Sequence, residues 1–322
     1  MGRVTQRARA VRVEVSDHSA PRLVERPDTV VVEAPMEIRV DGVPLTVTMR
    51  TPGDDFDLTI GFLLSEGLIA SAEDVRQLMH CQDEDESGSP TYNVVDVNLA
   101  DGVTGPNQSE ARRFLTTSAC GVCGTASIDA VRTTGRYALE SDEMRIDPAV
   151  LAGLPGRLRR HQKVFDRTGG VHAAGLFTPD GDVVVVREDI GRHNAVDKVV
   201  GWAAREGRLP LTGHVLVVSS RASFELTQKA FVAGIPVLAA VSAPSSLAVD
   251  LATEVGLTLV GFVRAPRLTV YTGRHRLGLP EAGGRDEAAD PAVDGHGDVA
   301  DPIPDGGRET PHLGRSVSTT GQ

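Results

Sequence analysis

The chain has 322 residues, 40% of them hydrophobic, which is enough to bury one large core or two ordinary ones. Its 44 acidic residues outnumber 33 Lys and Arg, and the net charge of -11 argues against nucleic acid and anionic membranes as partners. No run approaches the roughly 20 apolar residues that span a bilayer, and the start lacks the apolar core of a signal peptide. The sequence therefore predicts a cytoplasmic protein.

The first half of the chain predicts a flexible arm followed by a small α+β domain. Residues 1–28 are polar and rich in Arg, and we expect them to be only partly ordered. Residues 29–115 hold the strand segments TVVVEAPMEIRV and VPLTVTMR around a turn at Asp41-Gly42. A helix within TPGDDFDLTIGFLLSEG, an acidic loop and the strand TYNVVDVNLA follow. The pattern indicates a small unit with mixed strands and helix.

The second half alternates apolar strands with helices. A helix is expected to start at Asp147-Pro148, and VHAAGLF and DVVVVRE flank a turn. The strands HVLVVSS, PVLAAVS and LTLVGFV then alternate with three helices. Apolar strands without polar alternation are typical of a parallel sheet that helices cover on both faces. The sequence thus predicts a three-layer α/β domain over 116–279 and a disordered acidic tail over 280–322.

Polar side chains cluster where the predicted strands end. In open α/β sheets, ligands bind outside the carboxyl ends of the strands. Four arginines follow such ends: Arg192, Arg221, Arg264 and Arg267. Arginine forks and free helix N–H groups suit a phosphate-bearing ligand in an otherwise acidic protein. The alternative is that these residues only cap helices and form surface ion pairs.

Two histidines leave a structural and a chemical interpretation open. His172 begins an apolar strand, where a histidine is more often satisfied by its neighbours than bound to a ligand. His193 starts a helix, where capping competes with ligand contact. Cys81 stands beside the acidic loop, where carboxylates disfavour a thiolate, and it is interpreted as structural.

Cys120 and Cys123 lie in the uncharged run SACGVCGTAS and are the strongest candidates for chemistry. A structural zinc site needs two further ligands at local spacing, and no second cysteine pair exists. A zinc deaminase needs Glu two residues after its His, and Ala174 occupies that place after His172. A dithiol redox couple and a pair of buried small residues stay open. A sulfur-carrying thiolate fits the small residues around the pair best.

Several segments closely resemble the formate dehydrogenase accessory sulfurtransferases, the FdhD family. They include TTSACGVCGTASIDAV, RTGGVHAAGLF, VREDIGRHNAVDKVVG and VGFVRAPRLTVYT, and the resemblance runs in matching order from about residue 29 to residue 277. The resemblance implies a cytidine-deaminase-like fold without deaminase activity. It also implies a homodimer. The missing zinc ligands, apart from the resemblance, predict no bound metal ion.

The resemblance further implies a sulfurtransferase that acts as a sulfur carrier. A cysteine desulfurase would load Cys120 with a persulfide, with Cys123 as the second thiol of the site. The sulfur would pass to Mo-bis(molybdopterin guanine dinucleotide) before this cofactor enters the formate dehydrogenase apo-enzyme. The cofactor-binding segment would be Phe262, Val263, Arg264, Ala265, Pro266 and Arg267, and a guanine nucleotide would bind in the cofactor's place. The alternative is a non-catalytic chaperone that binds and delivers the cofactor.

Overall fold

The computed structural model describes residues 3–16, 19–81, 92–105 and 136–280. These residues belong to one compact unit that runs from Met1 to Glu281. Cys120, Cys123 and the predicted acidic tail beyond Pro280 lie outside the described residues. None of the helices in the described stretches has the length and apolar character that a bilayer crossing requires.

The first two strands form an arm. β1 (Thr5–Ser16) and β2 (Ser19–Val31) pair antiparallel in a two-stranded sheet of their own. The sequence predicted only partial order over 1–28 and assigned no strand there. Its alternation of arginines with small apolar residues gives little hydrophobic signal, which explains the difference.

A four-stranded sheet and one helix form the smaller α+β unit. The strands are β3 (Ala34–Val40), β4 (Val43–Arg50), β5 (Val75–His80) and β6 (Val94–Leu99), in the order β4-β3-β6-β5. The predicted turn at Asp41-Gly42 joins β3 to β4 with both residues at positive φ. Helix α1 spans Asp55–Ser65. The sequence analysis did not predict β5.

The main sheet has six strands in the order β12-β11-β10-β9-β7-β8. They are β7 (His172–Phe177), β8 (Val183–Asp189), β9 (Val215–Val218), β10 (Val237–Ala240), β11 (Thr258–Arg264) and β12 (Arg267–Val270). β9, β10 and β11 are parallel, and β7 is antiparallel to both of its neighbours. β8 therefore runs in the direction of β9. The four strands predicted to alternate with helices share one direction, and β7 and β12 run against them.

Helices cover both faces of the main sheet, which confirms the predicted three-layer α/β fold. The helices are α2 (Pro148–Arg160), α3 (Lys163–Thr168), α4 (Arg192–Arg205), α5 (Phe224–Val232) and α6 (Ser246–Glu254). Leu216 and Val218 of β9 belong to the core that α4, α5 and α6 share with the smaller sheet. Val215 and Val217 belong to the second core, under α2. Each residue of this strand is thus buried on one face or the other.

Helices α1 and α4 cross in close backbone contact. A Cβ built on Gly61 of α1 would lie 1.9 Å from the backbone oxygen of Asp197, and one built on Gly201 of α4 would lie 1.8 Å from that of Asp57. Only glycine fits at either position. The crossing fixes α4, whose first turn lies at the carboxyl end of β8.

Candidate functional site

The carboxyl ends of the parallel strands form one edge of the main sheet, which we call the rim. It comprises residues 188–193, 219–223, 242–246 and 262–267. Backbone hydrogen bonds join these loops in a row, since Ser219 N donates to Ala173 O at 3.0 Å, Ser242 N to Ser220 O at 3.4 Å, and Phe262 N to Ser242 O at 3.2 Å. The polar residues that the sequence placed after separate strands therefore lie along one continuous edge.

His172 also lies at the rim. The sequence alone could not show whether this histidine reaches that edge of the sheet. Because β7 runs against its neighbours, its first residue reaches the edge where they end, and His172 is the register partner of Asp189. Burial lowers the pKa of His172, and the nearby Arg192 and His193 lower it further, while Asp189 opposes the shift. The surroundings of this imidazole therefore favour its neutral form.

The first turn of α4 brings a basic pair to the rim. His193 Nε2 lies 2.5 Å from Glu225 Oε2 and 3.4 Å from Ser223 Oγ. The hydrogen bond from His193 lowers the pKa of Glu225, although partial burial opposes this. Arg192 Nε is buried and has no hydrogen-bond partner among the described residues. The sequence analysis missed Ser223 and Glu225. Their position at the start of the helix after β9 could have indicated that they lie at the rim.

Asp189 has a structural role beneath the rim. Its side chain is fully buried, and its Oδ2 lies 2.7 Å from Lys198 Nζ. It accepts hydrogen bonds from Gly191 N at 2.9 Å, from Asn194 Nδ2 at 3.0 Å and from Thr51 N at 3.1 Å. These contacts saturate the carboxylate and tie the loop after β8 to the end of β4. Asp189 thus positions the rim and is not available to a ligand.

The predicted cofactor-binding segment comprises the last three residues of β11, the turn at Ala265 and Pro266, and the first residue of β12. Phe262 has φ of 50° and is 50% exposed, whereas Val263 is fully buried and anchors the turn. Arg264 and Arg267 are exposed and are register partners across the turn, which contains Pro266 after a cis peptide bond. An aromatic face and two cations are therefore presented together at one end of the rim.

The rim is suited to anions. All four predicted arginines lie near strand ends at the rim: Arg192 begins α4, Arg221 lies in the loop after β9, and Arg264 and Arg267 lie on either side of the turn between β11 and β12. Gly191 and Ser223, which precede α4 and α5, form no side-chain cap in the described structure, whereas Ser245 caps α6. Uncapped N–H groups at a helix start suit an anion. Within the described ranges, no group of three or more His, Cys, Asp or Glu is arranged to hold a metal ion.

The residues that flank the undescribed segment 106–135, which contains Cys120 and Cys123, lie at the edge opposite the rim. After the segment, Tyr137 Cδ2 would lie 3.0 Å from a Cβ built on Gly234, which precedes β10. Before the segment, Gly105 packs against Leu99 at the end of β6. β6 runs against β4, whose end meets the rim, so Leu99 lies at the far end of the smaller sheet.

The sequence profile of the FdhD/NarQ family matches residues 31–278. The chain belongs to this family. It is 57% identical over 283 residues to the sulfur carrier protein FdhD of Streptomyces avermitilis, covering 88% of this chain and 99% of that protein. The FdhD protein of Mycobacterium tuberculosis is 57% identical over 262 residues, covering 80% and 95% of the two chains. The resemblance predicted from the sequence is thereby confirmed.

A solved structure of a formate dehydrogenase accessory protein from Desulfotalea psychrophila has the same fold. The TM-score is 0.63 at 24% identity, and the match covers 84% of this chain and 99% of that chain. The FdhD/NarQ profile begins at the last residue of β2, so the arm lies outside the part of the chain that defines the family.

Proposed function

We propose that this protein is a sulfur carrier that receives sulfane sulfur on Cys120 and transfers it to Mo-bis(molybdopterin guanine dinucleotide) for use by formate dehydrogenase. The observation that carries this proposal is the 57% identity, over 88% of the chain, to a protein named sulfur carrier protein FdhD. The name of the related solved structure, a formate dehydrogenase accessory protein, supports the same destination for the sulfur.

The loading step needs an accessible thiolate and a donor persulfide. The Cys120 thiolate attacks the outer sulfur of the persulfide on a cysteine desulfurase, and the donor cysteine leaves as a thiolate. Cys120 then holds that sulfur as its own persulfide, without net oxidation or reduction. Cys123 lies three residues away, where a thiol can tune or resolve the persulfide.

The rim supplies the groups that a guanylated molybdopterin substrate needs. Its phosphates require cations in a chain of net charge -11, and Arg264 and Arg267 offer planar forks for phosphate oxygens. The unpartnered Nε of Arg192 and the uncapped start of α4 add donors to the same edge. Phe262, half exposed, offers a face for a flat heteroaromatic ring.

Sulfur transfer requires Cys120 to reach a substrate at the rim, and the described residues that flank its segment lie at the opposite edge. Helix α5 runs between these edges with nine residues, a length of about 14 Å. Cys120 is fifteen residues from Gly105 and sixteen from Arg136, and such a chain spans at most about 50 Å when extended. The segment is therefore long enough to bring Cys120 to either edge.

Intact-protein mass spectrometry after incubation with a cysteine desulfurase and cysteine tests the proposal. We expect a gain of one sulfur atom that disappears with a reductant and is absent from Cys120→Ala. Cys81→Ala is the matched control and should gain sulfur as the unmodified protein does. Absence of the added sulfur in the unmodified protein would instead favour the cofactor chaperone. Equal loss in Cys120→Ala and Cys123→Ala would favour a dithiol mechanism.

A further inference from the structure

Of the carboxylates at the rim and in the first turn of α5, one keeps an oxygen for a ligand. Glu188 accepts two backbone N–H groups of α3, one on each oxygen, at 2.8 and 2.9 Å. Both oxygens of Asp189 also accept hydrogen bonds. In Glu225, Oε2 lies 2.5 Å from His193 Nε2, whereas Oε1 forms no hydrogen bond or ion pair with any described residue. Glu225 is therefore the carboxylate that can still accept hydrogen bonds.

The carboxylate of Glu225 is charged and within reach of a ligand. The hydrogen bond from His193 lowers the pKa of Glu225, burial opposes this, and the charges of His193, Lys229 and Arg192 lower it further. The side chain is 20% exposed, so a ligand at the rim can contact it. The arginines and the uncapped helix N–H groups of the rim only donate hydrogen bonds. Glu225 thus adds a charged acceptor to a set of donors.

The charge of Glu225 indicates a ligand that carries N–H donors as well as phosphates. A negative charge beside the arginines weakens the attraction of the rim for phosphate, so phosphate binding alone gives no reason for it. The guanylated pterin of the proposed function contains guanine and pterin, which are both built on a 2-amino-4-oxopyrimidine ring. This ring presents a ring N–H and an amino group side by side. The two donors match the two oxygens of a carboxylate in a bidentate contact.

We propose that Glu225 determines the specificity of the rim by accepting hydrogen bonds from the ring N–H and the amino group of a 2-amino-4-oxopyrimidine. The free Oε1 accepts one of them, and Oε2 accepts the other with the lone pair that His193 does not use. A ring without the amino group leaves one of these oxygens without its partner, which is how such a site discriminates. The inference rests on the proposed function, because that function brings guanine and pterin to the rim.

Calorimetry of the full-length chain with guanosine diphosphate and inosine diphosphate tests recognition of guanine, because inosine lacks only the amino group. If the ring at Glu225 is guanine, the unmodified protein should bind guanosine diphosphate at least about tenfold more tightly. In Glu225→Gln the two affinities should differ by less than about twofold, since an amide offers one acceptor oxygen in place of two. Glu206→Gln, at an exposed glutamate directly after α4, removes the same charge and should keep the full preference.

A second pair of probes tests recognition of the pterin. 6-Hydroxymethylpterin carries the amino group, and 6-hydroxymethyllumazine carries an oxygen in its place. If the ring at Glu225 is the pterin, the unmodified protein should prefer the first probe by at least about tenfold, and Glu225→Gln should abolish that preference. No preference in either pair, or a preference that Glu225→Gln retains in both pairs, would overturn the inference.

Two further measurements separate this inference from a folding defect and from the proposed function. Circular dichroism melts that match the unmodified protein would establish that Glu225→Gln folds, and Glu225→Asp, which shortens the side chain at constant net charge, should also lower the preference. The gain of sulfur on Cys120 of the unmodified protein is the separate readout for sulfur transfer. A ring preference without that gain would refute the sulfur carrier and leave this inference standing. A gain of sulfur without a ring preference would refute this inference alone.

Discussion

Helix α4 contributes to two regions, the rim and the crossing with α1, which differ in how their polar groups are satisfied. At its first turn, Arg192 and His193 are half-buried, and Arg192 Nε has no hydrogen-bond partner within the part of the chain that the structure describes. At the crossing with α1, Asp197 is buried and bound by Lys229 Nζ at 2.8 and 3.0 Å, and Gly201 leaves no space for a side chain. Of the described residues, the first turn thus has a buried donor without a partner, whereas the crossing satisfies its polar groups internally.

The crossing repeats one arrangement on both helices. In α1 and in α4 an aspartate precedes the contact glycine by four residues, in the segments DLTIG and DKVVG. Asp57 is bound by Arg187 at 3.0 Å and by Arg205 at 2.5 Å, as Asp197 is bound by Lys229. Two buried carboxylates at a helix crossing need such partners, because an unpaired buried charge is costly. The repeated pattern therefore marks scaffold, and variants at the two regions should separate stability from binding.

The largest effect is expected from Lys229→Met. Burial raises the pKa of Asp197, and Lys229 opposes that rise, so removing the lysine leaves an uncompensated buried carboxylate. We expect a loss of about 3–5 kcal/mol in the free energy of unfolding, measured in urea. Lys163→Met, at an exposed lysine, is the control and should change it by less than about 0.5 kcal/mol. The double variant Asp197→Leu/Lys229→Met should recover part of the loss, and failure to recover would show that the charge is not its cause.

The next effect is expected from Gly201→Ala. The added methyl group would overlap the backbone oxygen of Asp57, and that backbone cannot yield without separating α1 from α4. We expect a loss of about 3 kcal/mol, the upper end of the usual cost of overpacking. Gly153→Ala in α2 has open space at the same atom and should be neutral or stabilising by up to about 1 kcal/mol. Similar unfolding free energies for the two variants would contradict the close crossing.

The sequence predicted the elements of this fold that a local hydrophobic pattern reveals. β9 and β10 are buried on both faces and consist entirely of apolar residues, so their pattern was sufficient. The arm and β5 lack that pattern and were missed. The place of His172 depends on β7 inserting against the direction of β8 and β9, which is a tertiary feature that no local pattern contains. The four-residue spacing between Asp and Gly in α1 and α4 is visible in the sequence. Its structural role becomes clear only from the contact between the two helices.

Binding at the rim should respond to substitutions that leave stability unchanged. We expect Arg264→Ala/Arg267→Ala to weaken guanosine diphosphate binding by about 2–4 kcal/mol in calorimetry, at about 1–2 per charge-assisted contact. Because both residues are exposed, the unfolding free energy should change by less than about 0.5 kcal/mol. Arg160→Ala, at an exposed arginine ending α2, is the control for net charge. Unchanged affinity in the double variant would place the nucleotide site elsewhere.

The smallest expected effect is a rise in the pKa of His172 in Arg192→Ala. Burial is the largest cause of the lowered pKa, and Arg192 is the next. Removing one positive charge should raise the pKa toward its ordinary value of 6.5 but not to it, because the burial remains. NMR titration of the imidazole, assigned with His172→Gln, measures the shift. Arg221→Ala, in the loop after β9, should leave the pKa of His172 unchanged.

The same substitution should alter how stability depends on pH. Below pH 6.5 the unfolded chain binds a proton at His172 before the folded chain does, so stability falls as the pH falls toward the lowered pKa. Arg192→Ala narrows that window, and its melting temperature should therefore fall less between pH 7 and pH 5 than that of the unmodified protein. An equal fall in both would show that Arg192 does not act on His172.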